Sequence, residues 1–97
     1  MMSYLRVAWH HTLRDEPVWL ISEIVDNAEV RKVEIYADGR HDYADVYQST
    51  GTTSLSVTPM PSIAEIAEQE EFTPEEIDRD AFEVAWRNAI AWHRAEG

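Results

Sequence analysis

The chain contains no cysteine, which excludes a disulfide framework and any zinc site built on thiolate ligands. It also lacks an apolar run long enough to span a bilayer. Residues 1–7 show neither the basic start nor the long apolar run of a signal peptide. We therefore expect a cytoplasmic protein without a membrane-spanning segment.

Basic residues are scarce. The chain has 8 Lys and Arg against 19 Asp and Glu, which gives a formal net charge of −11. The imbalance is stronger toward the C-terminus, because five basic and nine acidic residues fall in 1–58 but three and ten fall in 59–97. Such a field repels phosphate backbones and anionic membranes. It disfavours direct nucleic-acid binding through a basic patch and favours a basic protein as partner.

Recognisable catalytic motifs are missing as well. The sequence has no Gly-x-Ser-x-Gly elbow, no P-loop with its lysine and no calcium-binding loop of the EF-hand type. We therefore predict no catalytic residue, no metal site and no cofactor. A binding protein is favoured over an enzyme.

The composition nevertheless supports a folded core. The 97 residues are 44% apolar and include ten aromatic side chains, which fits one domain with a single core. Strand-like patterns fill the first part of the chain and helix-like patterns the second. The predicted class is α+β, with a four- to five-stranded antiparallel meander over about 3–58 packed by C-terminal helices over about 62–95.

Alternation of side chains predicts the strands. From Glu29 to Ala37, successive side chains are predicted to point to opposite faces of the sheet, with Lys32 on one face and Arg31 and Val33 on the other. This alternation is typical of a half-buried strand. Turns are predicted at 26–28 and at Asp38-Gly39, where the second pair favours a type I′ hairpin turn. The predicted strands are 4–9, 17–25, 29–37 and 40–47, with a short fifth strand or an extended connection at 55–57.

Capping signals predict the helices. Ser62 with Glu65 fits a capping box, and Thr73-Pro74-Glu75-Glu76 repeats that signal with proline at the first helical position. The main helix is predicted from Asp80 to about Arg94. One apolar face is predicted from residues that recur at helical spacing, which are Phe82, Ala85, Trp86, Ala89, Ile90 and His93.

The most one-sided stretch runs from Glu65 to Glu83, with nine carboxylates against Arg79 alone. Helix capping explains Glu65, Glu76 and Asp80, and a solvated face is the simplest account of the others. The alternative is a surface that recognises a basic partner, with an exposed aromatic residue as its apolar anchor. The predicted partner-binding residues are Glu68, Glu70, Glu71, Glu75, Glu76, Asp78 and Trp92.

A second candidate site combines histidines, bases and hydroxyls in a way that would suit a phosphate or nucleotide. Adjacent histidines in a strand point to opposite faces, so packing or hydrogen bonding is the simpler role for each. The hydroxyl-rich loop at 49–53 lacks the lysine and the helix of a P-loop. The candidate ligand-binding residues are His10, His11, Arg31, Lys32, Ser49 and Thr50.

Several blocks of sequence carry a resemblance to a known family. They are 4–11, 15–24, 29–40, 43–44, 49–55, 59–66 and 82–86. In this order they resemble a family of small single-domain bacterial proteins, frequent in actinobacteria, that is known as a domain of unknown function. The resemblance implies a stand-alone bacterial cytoplasmic protein and brings no established activity, cofactor or catalytic residue.

Three functions remain open from the sequence. The favoured one is an acidic inhibitor, such as an immunity protein that neutralises a basic toxin or effector. The second is a small-ligand-binding protein or enzyme that uses the face of His10 and His11. The third is a permanent subunit of a larger assembly, which would carry a large exposed apolar patch.

Overall fold

The structure is a computed structural model and describes residues 2–96. One five-stranded antiparallel sheet and two helices form the fold, and the strand order is β4-β3-β2-β1-β5. The α+β prediction is confirmed, and the first four strands form the expected meander. In chain order the elements are β1 Met2–Trp9, β2 Trp19–Val25, β3 Ala28–Ile35, β4 His41–Asp45, α1 Ile63–Ala67, β5 Phe72–Ile77 and α2 Arg79–Glu96.

The fifth strand of the sheet, β5, lies between the two helices. Residues 55–57, which the sequence predicted as a short fifth strand or an extended connection, belong to the connection before α1 and to no strand, and the helix start predicted at Thr73-Pro74-Glu75-Glu76 is wrong because these residues belong to β5. β5 pairs antiparallel with β1, with Val7 opposite Pro74. A proline is tolerated there because β5 is an edge strand. Pairing with the free side of β1 therefore outweighs the local capping signal.

The turns at Asp26-Asn27 and Asp38-Gly39 differ in backbone geometry, and the sequence assigned the type I′ geometry to the second of them. Asp26 and Asn27 have φ values of 50° and 68°, as both central residues of a type I′ turn require. In the next hairpin only Gly39, at φ 91°, has a positive φ, and its N–H donates to the Tyr36 carbonyl. The type I′ turn predicted at Asp38-Gly39 is therefore wrong, and that geometry occurs at Asp26-Asn27.

Both remaining helix predictions are confirmed, with small shifts of the bounds. Ser62 and Glu65 form the complete capping box of α1. α2 begins at Arg79 rather than Asp80 because Asp78 caps it, its Oδ1 accepting the Ala81 N–H at 2.8 Å.

The two faces of the sheet carry separate apolar clusters. α2 covers the first face, where Tyr4, Ile21 and Val33 pack against Phe82 and Ala89. On the second face, α1 and the connection before it pack on β1, β2 and β5. That cluster contains Leu5, Val7, Ile24, Ile66, Leu20, Met60 and Phe72.

A β-bulge in β3 changes which face its side chains occupy. Glu23 pairs with Arg31, but the next residue, Ile24, pairs with Glu29, so Val30 is the extra residue. Glu29 therefore joins Lys32 on the second face. Strict alternation, which the sequence predicted over this strand, would have put them on opposite faces.

Candidate functional site

The predicted acidic residues collect along one edge of the sheet. Glu68 ends α1, Glu70 and Glu71 lie in the turn that follows, Glu75 and Glu76 lie on β5, and Asp78 precedes α2. All six are exposed. We call these six residues (Glu68, Glu70, Glu71, Glu75, Glu76 and Asp78) the acidic edge.

Two carboxylates of the acidic edge have partners within the fold. Arg6 Nε donates to Glu75 Oε1 at 2.6 Å, and Asp78 caps α2. Within residues 2–96, the side chains of the other four, Glu68, Glu70, Glu71 and Glu76, make no ion pair and accept no helix-capping hydrogen bond, since Glu68 ends α1 through its backbone alone. Glu76 lies in β5, so the capping role that the sequence suggested for it is wrong. Folding therefore leaves most of this negative charge without a partner.

The two edges of the sheet are built differently. β4 is covered, since the Thr50 N–H donates to the Tyr43 carbonyl at 2.9 Å and Ser49 bridges to Ala44. β5 pairs with β1 on one side, and no strand in the described part of the chain pairs with its other side. An open strand edge presents unpaired backbone groups to a partner.

The predicted aromatic anchor does not lie with the acids. Trp92 is half-buried near the end of α2, and its ring lies 6.4 Å from that of His41 in β4. β4 and β5 are opposite edges of a five-stranded sheet, so about four strand spacings, roughly 19 Å, separate them. The structure therefore splits the predicted partner-binding set into two separate places.

The two histidines are held by separate hydrogen bonds near the end of β1. His10 Nε2 shares a hydrogen bond with Thr73 Oγ1 at 2.7 Å. His11 Nε2 donates to the Pro17 carbonyl at 2.7 Å while its Nδ1 accepts the Leu13 N–H at 2.9 Å. Both nitrogens of the His11 ring are therefore engaged in holding the loop between β1 and β2.

Arg31 and Lys32 do not join the histidines. As neighbours in β3 they lie on opposite faces, Arg31 beneath α2 and Lys32 on the second face. Lys32 pairs with Ser22, and Ser22 pairs with Leu5 of β1. Leu5 lies five residues before His10, so roughly 17 Å along the strand direction separates Lys32 from His10. The second candidate site is thus not assembled as a unit.

Arg31 instead organises a partly buried charge cluster. It donates two hydrogen bonds to the carboxylate of Glu23 in a bidentate arrangement, at 2.6 and 2.8 Å, and one to Glu83 of α2 at 3.0 Å. Its guanidinium lies 4.7 Å from the centre of the Phe82 ring. Hydrogen bonds from Arg31 lower the pKa of both carboxyls, while burial, followed by the Glu23 charge, raises the pKa of the Tyr4 hydroxyl. This cluster fastens α2 to the sheet.

Two hydroxyls of the 49–53 loop donate to carboxylates. Thr50 Oγ1 donates to Asp42 Oδ1 at 2.9 Å, and Thr53 Oγ1 donates to Glu34. His93 Nε2 also lies 3.2 Å from Asp42 Oδ1. A phosphate-binding role is disfavoured here because a phosphate would meet two negative groups.

A pocket on the second face was missed by the sequence analysis. It has a volume of about 220 Å³ and lies between β1, β2 and β3 of the sheet, α1 and the connection before α1. Ser22, Glu29 and Lys32 form its polar end. The available signal was Ser22, a polar residue between the apolar Leu20 and Ile24 on one face of β2. The bulge that brings Glu29 there leaves no trace in the alternation pattern.

Residues 2–96 contain neither a cluster of metal-ligating side chains nor a helix that could span a membrane. No group of three or more His, Asp or Glu side chains is placed to hold a metal ion. Neither helix in that range is long and apolar enough to cross a membrane.

Comparison with known proteins identifies the family without giving it a function. No curated protein and no solved structure matches the chain. Residues 3–91 match the family described as "Domain of unknown function (DUF6881)", in agreement with the resemblance seen in the sequence. The match covers most of the 97 residues, and the chain therefore belongs to this family of uncharacterised domains.

Proposed function

We propose that this protein binds a basic protein partner through the acidic edge, as an inhibitor of the kind that an immunity protein represents. The observation that carries the proposal is the contrast between the two sheet edges. The chain covers β4 with its own loop, whereas within residues 2–96 β5 stays open and the carboxylates of Glu70, Glu71 and Glu76, on or beside it, have no cationic partner. An extended basic segment of a partner fits both features.

The charge distribution supports fast capture of such a partner. Residues 59–97 carry ten acidic and three basic side chains, and the acidic edge concentrates part of that excess. Complementary fields raise association rates from about 10⁵–10⁶ to as much as about 10⁸–10⁹ M⁻¹s⁻¹ at low salt. Rapid association suits an antagonist that must meet its target before the target acts.

Affinity requires an apolar contact as well, since charges at a rim mainly tune the rate. Ile63 of α1 is 41% exposed. Together with Glu65 and Glu76 it lines a depression between α1, the connection before it and β1. We assign the anchor role to Ile63 because it lies beside the acids, whereas Trp92 lies at the other edge.

The acidic edge also has a role that needs no partner. Charged side chains and proline on an edge strand prevent pairing between two copies of a sheet, and β5 carries Glu75, Glu76 and Pro74. The two roles differ in their consequences. A purely protective edge has no dedicated partner, and a recognition surface loses one specific partner when its charge is reversed.

Matched charge reversals test the proposal. Glu70→Lys with Glu71→Lys alters the acidic edge, and Asp15→Lys with Glu16→Lys changes the net charge equally in an exposed turn elsewhere. Each tagged variant and the wild-type protein serve as bait in cells of the natural source, at low and high salt, with mass spectrometry as the readout.

The expected result is one stoichiometric basic partner retained by the wild-type protein and by the Asp15/Glu16 variant. The Glu70/Glu71 variant loses it, and high salt weakens it because exposed charges are screened. Equal loss from both double variants would mean that only the total charge matters. That result, or the absence of any partner at either salt, would overturn the proposal.

A further inference from the structure

We propose that the pocket on the second face of the sheet binds a small neutral molecule with a compact apolar body and one hydrogen-bonding oxygen. Leu5, Val7 and Leu20 of the sheet line the pocket, and Ile66 and Phe72 line it from α1 and β5. This apolar surface continues the cluster on that face. Ligand sites of this kind are concave and mostly apolar, with a few placed polar groups.

The size of the pocket sets the size of the ligand. Its volume is about 220 Å³, and an apolar protein cavity of about 150 Å³ holds benzene. The pocket therefore has room for a molecule of one or two fused rings.

Hydrogen bonds and one ion pair hold the side chains at the polar end of the pocket in place. Ser22 Oγ donates to Glu29 Oε2 at 2.7 Å, and the Ser56 N–H donates to Glu29 Oε1 at 2.8 Å. Lys32 Nζ lies 3.2 Å from Glu29 Oε1 and donates to the Ser54 carbonyl at 2.9 Å. The Glu29 side chain is 2% exposed and the Lys32 side chain 18%.

The backbone bends to create this arrangement. Without the bulge at Val30, Glu29 would point to the face that α2 covers. Bulges that re-aim a side chain are frequent beside binding and active sites. Burying an ion pair also contributes little to stability, because desolvation offsets the attraction. A binding role therefore explains the ion pair on this apolar face better than a stabilising role alone does.

Counting donors and acceptors selects the class of ligand. An ammonium has three N–H donors, and Lys32 uses two of them, on Glu29 and on Ser54. The third can reach a carbonyl or hydroxyl oxygen, and Ser22 Oγ can still accept a bond because its proton points at Glu29. Glu29 and Lys32 together are neutral, so a charged ligand would leave a buried charge without compensation.

Coumarin is a suitable probe, because it is neutral, has two fused rings and carries a carbonyl oxygen. Coumarin-3-carboxylate is the matched anion. Each is titrated into the ¹⁵N-labelled wild-type protein while amide shifts are followed by NMR. We expect saturable shifts from coumarin with a dissociation constant below about 1 mM, and binding of the anion weaker by about tenfold or more. The shifts should be confined to residues such as Leu5, Ser22, Lys32 and Phe72.

Filling the pocket provides the second arm of the test. Leu20→Trp places a large side chain in the pocket, and Val84→Trp adds the same side chain to an exposed position on α2, at the other face. Coumarin binding should be lost in the first variant and unchanged in the second. Gln69→Trp, at an exposed position lining the pocket, repeats the filling without a change in the core.

Each contrary result is decisive. The absence of saturable shifts up to about 1 mM coumarin, or shifts spread equally over both faces, would overturn the proposal. Equal affinity for the anion would overturn the assignment of a neutral ligand. Unchanged coumarin affinity in both Leu20→Trp and Gln69→Trp would show that the probe binds elsewhere. None of these outcomes depends on the acidic edge, so this proposal and the proposed function fail independently.

Discussion

Glu29 Oε1 lies 3.2 Å from Lys32 Nζ on the second face of the sheet, although the two residues are three positions apart in the same strand. In a regular strand an odd separation places side chains on opposite faces. The bulge at Val30 adds one residue to β3, so the side chains of the β3 residues before it point to the opposite face from the one that regular alternation would give. This single irregularity creates the polar end of the pocket.

The Glu29–Lys32 pair makes a first prediction. Lys32→Met leaves the carboxylate of Glu29 buried without its cation, so the free energy of unfolding should fall by about 3 kcal/mol. Adding Glu29→Gln should restore most of that loss, because glutamine can accept from Ser56 and donate to Ser22. Urea denaturation of the two variants and the wild-type protein measures both effects. Equal destabilisation of the single and double variants would contradict a dominant role for the unpaired charge.

The charge cluster around Arg31 predicts how stability depends on pH. Arg31 lowers the pKa of Glu23 and Glu83 in the folded protein from the ordinary value of 4.5. Their contribution is therefore complete above about pH 4.5 and is lost as the pH falls through the lowered pKa values. Arg31→Met removes the main cause of the lowered pKa of Glu23 and Glu83, so most of this loss of stability at low pH should disappear. The variant should also be less stable by about 3 kcal/mol near neutral pH.

Denaturant titrations at about pH 7, 5 and 3 measure the free energy of unfolding of the wild-type protein and of Arg31→Met. Glu83→Gln is a milder control, since it removes one of the two carboxylates and keeps the contact between Arg31 and Glu23. It should retain part of the acid sensitivity. If Arg31→Met kept the full acid-side slope, other carboxylates would have to be responsible for it.

Gly51 and Gly39 provide a matched pair of backbone substitutions. Both have positive φ, at 55° and 91°, but a Cβ at Gly51 would lie 2.6 Å from Asp42 Oδ2, whereas nothing lies within 4 Å at Gly39. Gly39→Ala should cost about 1–2 kcal/mol from the backbone alone. Gly51→Ala should cost about 1–3 kcal/mol more, because the clash displaces the buried Asp42. Thermal unfolding of the two variants measures the difference, and equal losses would mean that the loop moves away freely.

The acidic edge predicts a change in rate without a change in stability. Glu70 and Glu71 are exposed and make no ion pair within residues 2–96, so reversing both to lysine should alter the free energy of unfolding by less than about 0.5 kcal/mol. Association with the captured partner should slow by about tenfold at low salt, and its salt dependence should flatten. Surface plasmon resonance gives the rates, with the Asp15/Glu16 reversal as control. Strong destabilisation of the Glu70/Glu71 variant would indicate a structural role instead.

Local patterns predicted much of the fold. The capping box of Ser62 and Glu65 and the stripe containing Phe82 and Ala89 depend on residues within one or two helical turns, and both are confirmed. The four strands of the meander pair with their neighbours in sequence, so their pairing was also readable from order alone. The exposure of the six acids was predicted correctly because charged side chains remain in water unless they are paired.

Long-range pairing was not readable in the same way. The residues 73–76 carry a valid helix-start signal, yet they form a strand because β1, about seventy residues earlier, has a free edge. The candidate sites changed for the same reason. Sequence grouped Arg31 with Lys32 and Trp92 with the acids, while the structure puts the first two on opposite faces and Trp92 at the far edge.

The sequence by itself determined the fold class, the family and the excess of negative charge in the C-terminal part. These follow from composition and from periodicities that extend over a few residues. Only the tertiary structure decided which acids lie on an open edge and that a pocket exists opposite α2. The physical reason is that both depend on which strands pair and in what register, and one extra residue in β3 is enough to turn Glu29 from one face to the other.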